Sequence, residues 1–232
     1  MSPAPEPAFD AYEGRYREAV RDSIAFSGLG YDYFLKSKAA LLADLIAARL
    51  PAGVKPRTLD IGCGVGALHP LLQPLCSELH GVDVSPACIE RAADDNPDAH
   101  YRAYDGERLP FEDGGFDLVF AACVMHHVPS ERWGDFAAEM RRVARPGGLV
   151  CVIEHNPLNP ATRLSVMRCP FDEDAVLLRR RRTAELFEAA GVSDVDWRYF
   201  VFVPSMRPWA QGLERRLASC PLGAQYAVYG RA

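Results

Sequence analysis

Short apolar runs alternate with amphipathic helical patterns through the middle of this chain. The runs typical of strands are Thr58–Ile61, Leu79–Val84, His100–Tyr104, Phe116–Ala122 and Leu149–Glu154. Helical patterns lie between them, near Gly66–Cys76, Pro86–Asp94 and Glu131–Val143. Strands that alternate with helices predict βαβ units and a mostly parallel sheet, which is the α/β class. The almost continuous apolar character of the fourth run fits a strand that is buried on both faces.

The segments before the first predicted strand are of two kinds. Residues 1–10 are acidic and contain three prolines, which predicts a disordered leader. Residues 11–50 carry two helical patterns, Ala11–Phe26 and Lys36–Leu50, which glycines separate. We therefore predict an N-terminal helical cap, followed by a core over residues 51–232.

The last third of the chain has a different pattern. Residues 155–182 contain several prolines and no clear period, and we expect them to be irregular and to form a lid-like insertion in the core. Thr183–Ala190 is typical of a helix that ends at Gly191. Two final apolar runs, Arg198–Val203 and Gln225–Gly230, predict a strand pair at the sheet edge. The same runs leave a homodimer open, because they could also pair between two chains.

Composition excludes some classes of protein. The 232 residues carry a formal net charge of −5, which argues against a broad nucleic-acid or membrane surface. The seven cysteines are odd in number and scattered, as in a reducing compartment. The sequence shows neither a signal peptide nor an apolar stretch long enough to span a bilayer. We expect a cytoplasmic protein with no nucleic-acid partner and no membrane partner.

A glycine-rich turn follows the first predicted strand and opens a helix. In Leu59–Gly66 (LDIGCGVG) the glycines permit positive φ and let the backbone approach a ligand closely. The spacing Gly62-x-Gly64-x-x-Ala67 also satisfies the pattern of a dinucleotide site. Asp60 argues against a pyrophosphate, because like charges repel, and it suits a ligand with an ammonium and a sulfonium group.

Two more carboxylates end the next predicted strands. Asp83 follows the glycines by about 20 residues, where an acid can accept hydrogen bonds from both hydroxyls of a ribose. This position suits NAD as well as any other adenosine cofactor. Asp105 follows the third strand and could accept a hydrogen bond from the exocyclic amine of adenine, for which a NAD site has no comparable need. Together the three acids favour an adenosyl cofactor that carries positive charge.

At these residues the chain resembles the class I S-adenosylmethionine-dependent methyltransferases. The motif LDIGCGVG is similar to the glycine motif of that family, and GVDVS to its acidic second motif. YDGERLPFEDGGFDLVFAACVMHHV is similar to the third and fourth motifs, and RVARPGGLVCVIE to the loop and strand that follow. The resemblance covers residues 36–155. It implies a Rossmann-like, seven-stranded and mostly parallel sheet with helices on both faces, and S-adenosylmethionine as the cofactor.

The resemblance also implies which residues hold the cofactor. It places Asp60 and the glycines at the methionine portion, Asp83 at the ribose, and Asp105 at the adenine. The full set of implied cofactor-binding residues is Tyr33, Lys38, Asp60, Gly62, Cys63, Gly64, Asp83, Val84, Asp105, Gly106, Ala122 and Cys123.

Three histidines are candidates for a catalytic base. Methyl transfer needs an aligned nucleophile and, for a hydroxyl acceptor, a group that takes its proton. Ligands of open α/β sheets bind at the carboxyl ends of the strands, where His126 and His127 follow the fourth strand and His155 follows the fifth. We rank His155 first, with substrate contact as its alternative role, whereas the pair could also contact the cofactor or support the loop. We expect no metal, because adjacent histidines rarely aim at one ion.

The sequence thus favours a methyltransferase that acts on the hydroxyl of a small metabolite or natural product. Methylation of nitrogen or carbon is the first alternative. An RNA or protein methyltransferase is the second, although the negative net charge and the short variable segments count against a large partner. A NAD-dependent oxidoreductase is the third, and Asp60 and Asp105 disfavour it. A non-catalytic binding module is the last alternative. It would be expected to lack the polar residues of the site, and this sequence keeps them.

Overall fold

The computed structural model of the protein describes residues 30–232. Its helices are α1 (Tyr31–Arg49), α2 (His69–Leu72), α3 (Pro86–Asp95), α4 (Trp133–Val143), α5 (Pro160–Arg168), α6 (Arg180–Ala189) and α7 (Pro208–Arg216). Its strands are β1 (Arg57–Ile61), β2 (Glu78–Asp83), β3 (His100–Ala103), β4 (Phe116–Ala122), β5 (Ala144–His155), β6 (Ser193–Phe200) and β7 (Gln225–Arg231). The predicted leader, residues 1–10, and the predicted helix Ala11–Phe26 lie outside the described residues.

The strands of the described chain form one seven-stranded sheet in the order β3-β2-β1-β4-β5-β7-β6. Strands β1 to β5 are mutually parallel, and β7 is antiparallel to both of its neighbours, β5 and β6. This arrangement confirms the Rossmann-like α/β class. The strand order reverses between β1 and β4, and such a switch point opens a crevice at the carboxyl ends of the strands.

Helices bury both faces of the sheet, which explains the continuous apolar runs. Val119 of β4 belongs to the core cluster on the side of α4 and α6, which includes the fully buried Phe187. Its neighbour Phe120 belongs to the cluster on the opposite side, with Leu42 and Leu45 of α1. Successive residues of a strand point to opposite faces, so a strand covered on both faces must be apolar throughout.

The first crossover helix is shorter than predicted. The pattern suggested a helix near Gly66–Cys76, but α2 covers only His69–Leu72 and continues as a 3₁₀ turn over Gln73–Leu75. Gly66 has a φ of +66°, which is outside the helical region. Pro74 has no N–H with which to continue the helical hydrogen bonds.

The prediction that residues 155–182 lack regular structure is wrong. They contain α5, which begins after Asn159, whose side-chain oxygen accepts a hydrogen bond from the Thr162 N–H at 3.0 Å. An Asn N-cap followed by Pro160 in the first helical position is a strong start signal, so the helix was readable from the sequence. The lid role of this segment stays a prediction.

The C-terminal elements also differ in their bounds. Helix α6 begins three residues before the predicted Thr183, and α7 was not predicted at all. Strand β6 begins at Ser193 rather than at Arg198, and it ends before Val201, whose φ of +64° breaks the extended backbone. Strand β7 lies between β5 and β6, so the two terminal runs pair inside one chain, and of these two strands only β6 lies at an edge of the sheet. A homodimer stays a prediction. None of the helices in residues 30–232 combines the length and apolar character that crossing a bilayer requires.

Candidate functional site

A cavity of about 430 Å³ lies at the carboxyl ends of the central strands, beside the switch point. Every site residue predicted from the sequence lines it, with the exception of Tyr33. The Tyr33 hydroxyl instead donates a hydrogen bond to the Val203 carbonyl at 2.5 Å. Parallel strands end at the same edge of a sheet, and for this reason residues scattered over the sequence meet in one place.

Helix α1 supplies one wall of the cavity. The side chains that it presents there are those of Tyr31, Phe34, Leu35 and Lys38. These positions follow the i, i+3, i+4, i+7 spacing of one helical face. Tyr33 and Lys38 are five residues apart, which separates them by about 140° around the helix axis, so they cannot both face the cavity. This spacing was present in the sequence and would have favoured Tyr31 over Tyr33.

The glycine loop brings bare backbone to the cavity. The N–H groups of Gly62 and Cys63 both donate to the Val82 carbonyl, at 2.7 and 3.0 Å, which ties the loop to β2. Gly62 has a φ of +70°, and a Cβ there would lie 2.5 Å from a methyl group of Val124. Gly64 has a φ of +52°, but a Cβ there would meet no atom within 4 Å. Gly64 therefore faces open cavity, where a ligand can approach the backbone.

Asp83 links the glycine loop to the end of β2. Its Oδ2 accepts a hydrogen bond from the Gly64 N–H at 2.8 Å, and its Oδ1 accepts one from the Ser85 N–H at 3.0 Å. Burial raises the pKa of the Asp83 carboxyl, while these backbone donors act in the opposite direction. Each carboxylate oxygen can accept a further hydrogen bond, so Asp83 can also bind two hydroxyls of a ligand in the cavity.

Asp60 and Asp105 have different surroundings. Asp60 is buried, and its Oδ2 lies 3.2 Å from Nε2 of His69, whose Nδ1 is 2.5 Å from the Tyr101 hydroxyl. Burial raises the pKa of Asp60, and the hydrogen bond with His69 opposes this shift. Asp105 is exposed and accepts two backbone N–H bonds that lower its pKa, from Glu107 at 2.8 Å and from the next residue at 3.1 Å. The series of hydrogen bonds from Asp60 through His69 to Tyr101 could not be read from the sequence, because these residues belong to three different elements.

Cys123 lies directly after β4 in the left-handed region, with a φ of +61°. Its Sγ accepts hydrogen bonds from Lys38 Nζ at 3.1 Å and from Gln225 Nε2 at 3.4 Å. Burial would raise the pKa of the Cys123 thiol, but the charges of Lys38 and His155 outweigh it and bring the pKa to about 7. The buried Oε1 of Gln225 has no hydrogen-bond partner within the described residues. An orphaned acceptor in the wall of a cavity points to a ligand or a water there.

Glu154 of β5 anchors the loop after β4. Its Oε1 accepts hydrogen bonds from the N–H groups of Val124 and Met125, at 3.2 and 2.8 Å. Its Oε2 lies 2.6 Å from Nδ1 of His126, and both side chains are 1% exposed. Burial alone would raise the pKa of the Glu154 carboxyl, but the charge of His126 outweighs this effect, and the pKa is lowered. One buried carboxylate thus fixes the direction in which His126 points.

The three candidate histidines meet at one end of the cavity, with Asp172 as a fourth member. Oδ1 of Asp172 lies 3.4 Å from Nε2 of His126 and 3.5 Å from Nε2 of His127. The ring centroid of His155 is 5.2 Å from that of His126. We call these four residues, with Glu154, the polar end of the cavity. No sequence pattern pointed to Asp172, because this residue lies in the segment predicted to be irregular.

Burial and charge shift the two adjacent histidines in opposite directions. Burial would lower the pKa of His126, but the carboxylates of Glu154 and Asp172 outweigh it and raise the pKa to about 10. Burial and the neighbouring His126 charge lower the pKa of His127 to about 4. Both ring nitrogens of His126 are engaged by carboxylates, so its geometry leaves no free nitrogen for an acceptor.

The middle of the chain, which carries much of this site, matches a known protein family. Residues 59–152 match a family that is described as a methyltransferase domain. The matched range runs from β1 into β5 and includes the glycine loop, Asp83 and Asp105.

Curated relatives carry related names. The chain is 29% identical over 199 residues to a 2-methyl-6-phytyl-1,4-hydroquinone methyltransferase of Synechocystis sp., with 78% of this chain and 60% of that protein covered. It is 34% identical over 137 residues to a ubiquinone biosynthesis O-methyltransferase of Mesorhizobium japonicum, with 54% of each covered. The chain spans between about half and 60% of the length of these two relatives.

A solved structure shows the same fold. It is a SAM-dependent methyltransferase from Thermotoga maritima, with a TM-score of 0.66 and 18% identity. The superposition covers 96% of this chain and 97% of that one.

Proposed function

We propose that the protein transfers a methyl group from S-adenosylmethionine to a hydroxyl of a small molecule, since residues 59–152 match a methyltransferase domain and the sheet has the Rossmann-like order. The observation that carries the proposal is one cavity lined by Asp60, Asp83 and Asp105 at successive strand ends, together with the open backbone at Gly64. Three carboxylates around bare backbone suit a cationic adenosine cofactor and repel a pyrophosphate.

The residues of the cavity fit this cofactor. Asp83 has acceptor capacity for the ribose hydroxyls, and Asp60 offers a buried carboxylate to an ammonium group. Lys38 offers a cation to the methionine carboxylate, at the place where it now holds Cys123. The Oε1 atom of Gln225, which has no partner within the described residues, can accept a hydrogen bond from a donor group of the cofactor. When it is bound, S-adenosylmethionine supplies a methyl group activated by a sulfonium.

The polar end supplies the groups that handle the acceptor. Glu154 orients His126, and Asp172 lies against both adjacent histidines, so these residues form a fixed surface beside the cofactor cavity. His155 lines the same cavity at the end of β5. We assign it the role of the general base, which accepts the proton of the acceptor hydroxyl. Removal of this proton makes the oxygen a nucleophile, and the fixed surface aligns it with the methyl group.

The apolar part of the wall suits an aromatic or otherwise apolar acceptor. Tyr31, Phe34 and Leu35 of α1 and Val166 of α5 line the same cavity. One relative is named for a hydroquinone, which favours an aromatic acceptor, and the other is named an O-methyltransferase of ubiquinone biosynthesis, which favours a hydroxyl as the acceptor group. Methylation of carbon or nitrogen is the alternative that the same cavity allows.

The test is a product assay with S-adenosylmethionine and a panel of hydroquinones, catechols and aryl amines, read by mass spectrometry. We expect one added methyl group on the oxygen of a phenolic member. His155→Ala should lower turnover by about 10²–10⁴-fold, the usual contribution of a general base. The matched control is His100→Ala, since His100 is exposed on β3 and does not line the cavity. Full turnover of His155→Ala would reject the base, and methylation of the amines alone would reject the hydroxyl.

A further inference from the structure

One donor atom each of His126, His127 and Asp172 lies close to the other two at the polar end. The three atoms lie within 4.8 Å of one another. The two nitrogen-to-oxygen distances, 3.4 and 3.5 Å, exceed the roughly 2.9 Å of an ordinary N–H···O hydrogen bond. Neighbouring ligands of a tetrahedral ion with bonds near 2.0–2.1 Å are about 3.3 Å apart. Both distances to Asp172 are therefore close to one edge of such a coordination shell.

The two adjacent histidines face the same carboxylate because of the turn that carries them. They lie in the 3₁₀ turn Met125–His127, which brings their ring centroids to 4.1 Å. Asp172 ends a second 3₁₀ turn, Pro170–Asp172, which follows α5. One turn therefore brings both adjacent histidines to the same carboxylate.

A second carboxylate supports the group from behind. Oε2 of Glu154 lies 2.6 Å from Nδ1 of His126, which directs Nε2 of the same ring toward Asp172. Ligand histidines of metal sites commonly have such a carboxylate on the other ring nitrogen, where it fixes the tautomer and the ring orientation. Glu154 is itself held by the Met125 N–H at 2.8 Å, so this support is rigid.

We propose that His126, His127 and Asp172 form a binding site for a divalent transition cation such as Zn²⁺, with Glu154 as the supporting carboxylate. Two imidazoles and one carboxylate suit Zn²⁺ and its neighbours in the first transition row, and three protein ligands leave a position open. All three proposed ligands line the cavity, next to the space assigned to the acceptor. In this last respect the inference rests on the proposed function, because an ion there would bind the acceptor oxygen.

The test uses the untagged full chain, stripped with EDTA and then titrated with Co²⁺ and Zn²⁺. We expect one ion per chain by elemental analysis, and a visible Co²⁺ absorption band of a four-coordinate site. Asp172→Asn and His127→Gln should each weaken binding by at least about tenfold. His100→Ala is the matched control and should bind as the wild type does. Circular dichroism of every variant establishes that the chain is folded.

The outcomes separate this inference from the proposed function. Less than stoichiometric Co²⁺ and Zn²⁺, or equal affinity in the folded Asp172→Asn variant, overturns the cation site. If the stripped protein nevertheless binds S-adenosylmethionine, the proposed function stands without the ion. If the ion binds and S-adenosylmethionine does not, the cation site stands and the methyl-transfer proposal fails. If the cation site is overturned, His126, Glu154 and Asp172 form an ion pair in which His126 lies between the two carboxylates.

Discussion

An alanine at Gly62 should cost far more stability than an alanine at Gly64, although both glycines belong to one loop. Both have positive φ, +70° and +52°, and a non-glycine residue in this region costs about 1–2 kcal/mol. Only Gly62 is also crowded, because its new Cβ would lie 2.5 and 2.7 Å from the two methyl groups of Val124. Overpacking of this kind costs about 1–3 kcal/mol more. We expect about 2–5 kcal/mol for Gly62→Ala and about 1–2 kcal/mol for Gly64→Ala.

Urea denaturation followed by circular dichroism measures this difference. With a slope of about 1–3 kcal/mol per molar urea, the two midpoints should differ by roughly 1 M. The variant Val124→Ala removes both methyl groups and leaves only the Cβ of residue 124, at 3.2 Å, so in that background most of the extra cost of Gly62→Ala should disappear. This relief is a coupling between contacting residues and can be read from a double-mutant cycle. Equal midpoints for the two glycine variants, or no relief from Val124→Ala, would refute the steric argument.

Two further predictions concern the thiol in the cavity and a buried hydroxyl. Cys123 should be alkylated by iodoacetamide with an apparent pKa of about 7, since the Lys38 charge stabilises its thiolate, and Lys38→Met should move this profile to higher pH. A profile that Lys38→Met leaves unchanged would contradict the pairing. Tyr226→Phe removes a buried hydroxyl that bonds to the Leu178 carbonyl at 3.1 Å and to Thr183 at 2.8 Å. It should lose about 1–2 kcal/mol in urea denaturation, and an unchanged midpoint would argue against these bonds.

The sheet and the acidic strand ends could be predicted because local patterns encode them. Strand β4 is apolar at every position that packs on either face, and this leaves a periodic signal in a short window. Asp60, Asp83 and Asp105 each follow a strand, and parallel topology alone brings strand ends together. The same logic placed Cys123 and the histidine pair at the cavity.

The partners of these residues could not be predicted, because they depend on how distant segments pack. Asp172 reaches His126 only through the position of α5 and of the turn after it. His69 reaches Asp60 from a helix that glycine and proline shorten, and Gln225 reaches Cys123 from an antiparallel strand. No window of sequence contains both members of such a pair. The placement of Tyr33 failed for a different reason, since helical spacing was available and favoured Tyr31.

Calorimetric titration with S-adenosylmethionine, its demethylated product and NAD distinguishes a methyl-transfer cofactor site from a dinucleotide site. We expect saturable one-site binding of the first two ligands to the wild type and no binding of NAD. Asp83→Ala should lose this binding, whereas Asp98→Ala, at an exposed aspartate outside the cavity, should retain it. Binding of NAD without S-adenosylmethionine, or full affinity in the folded Asp83→Ala variant, would contradict the account.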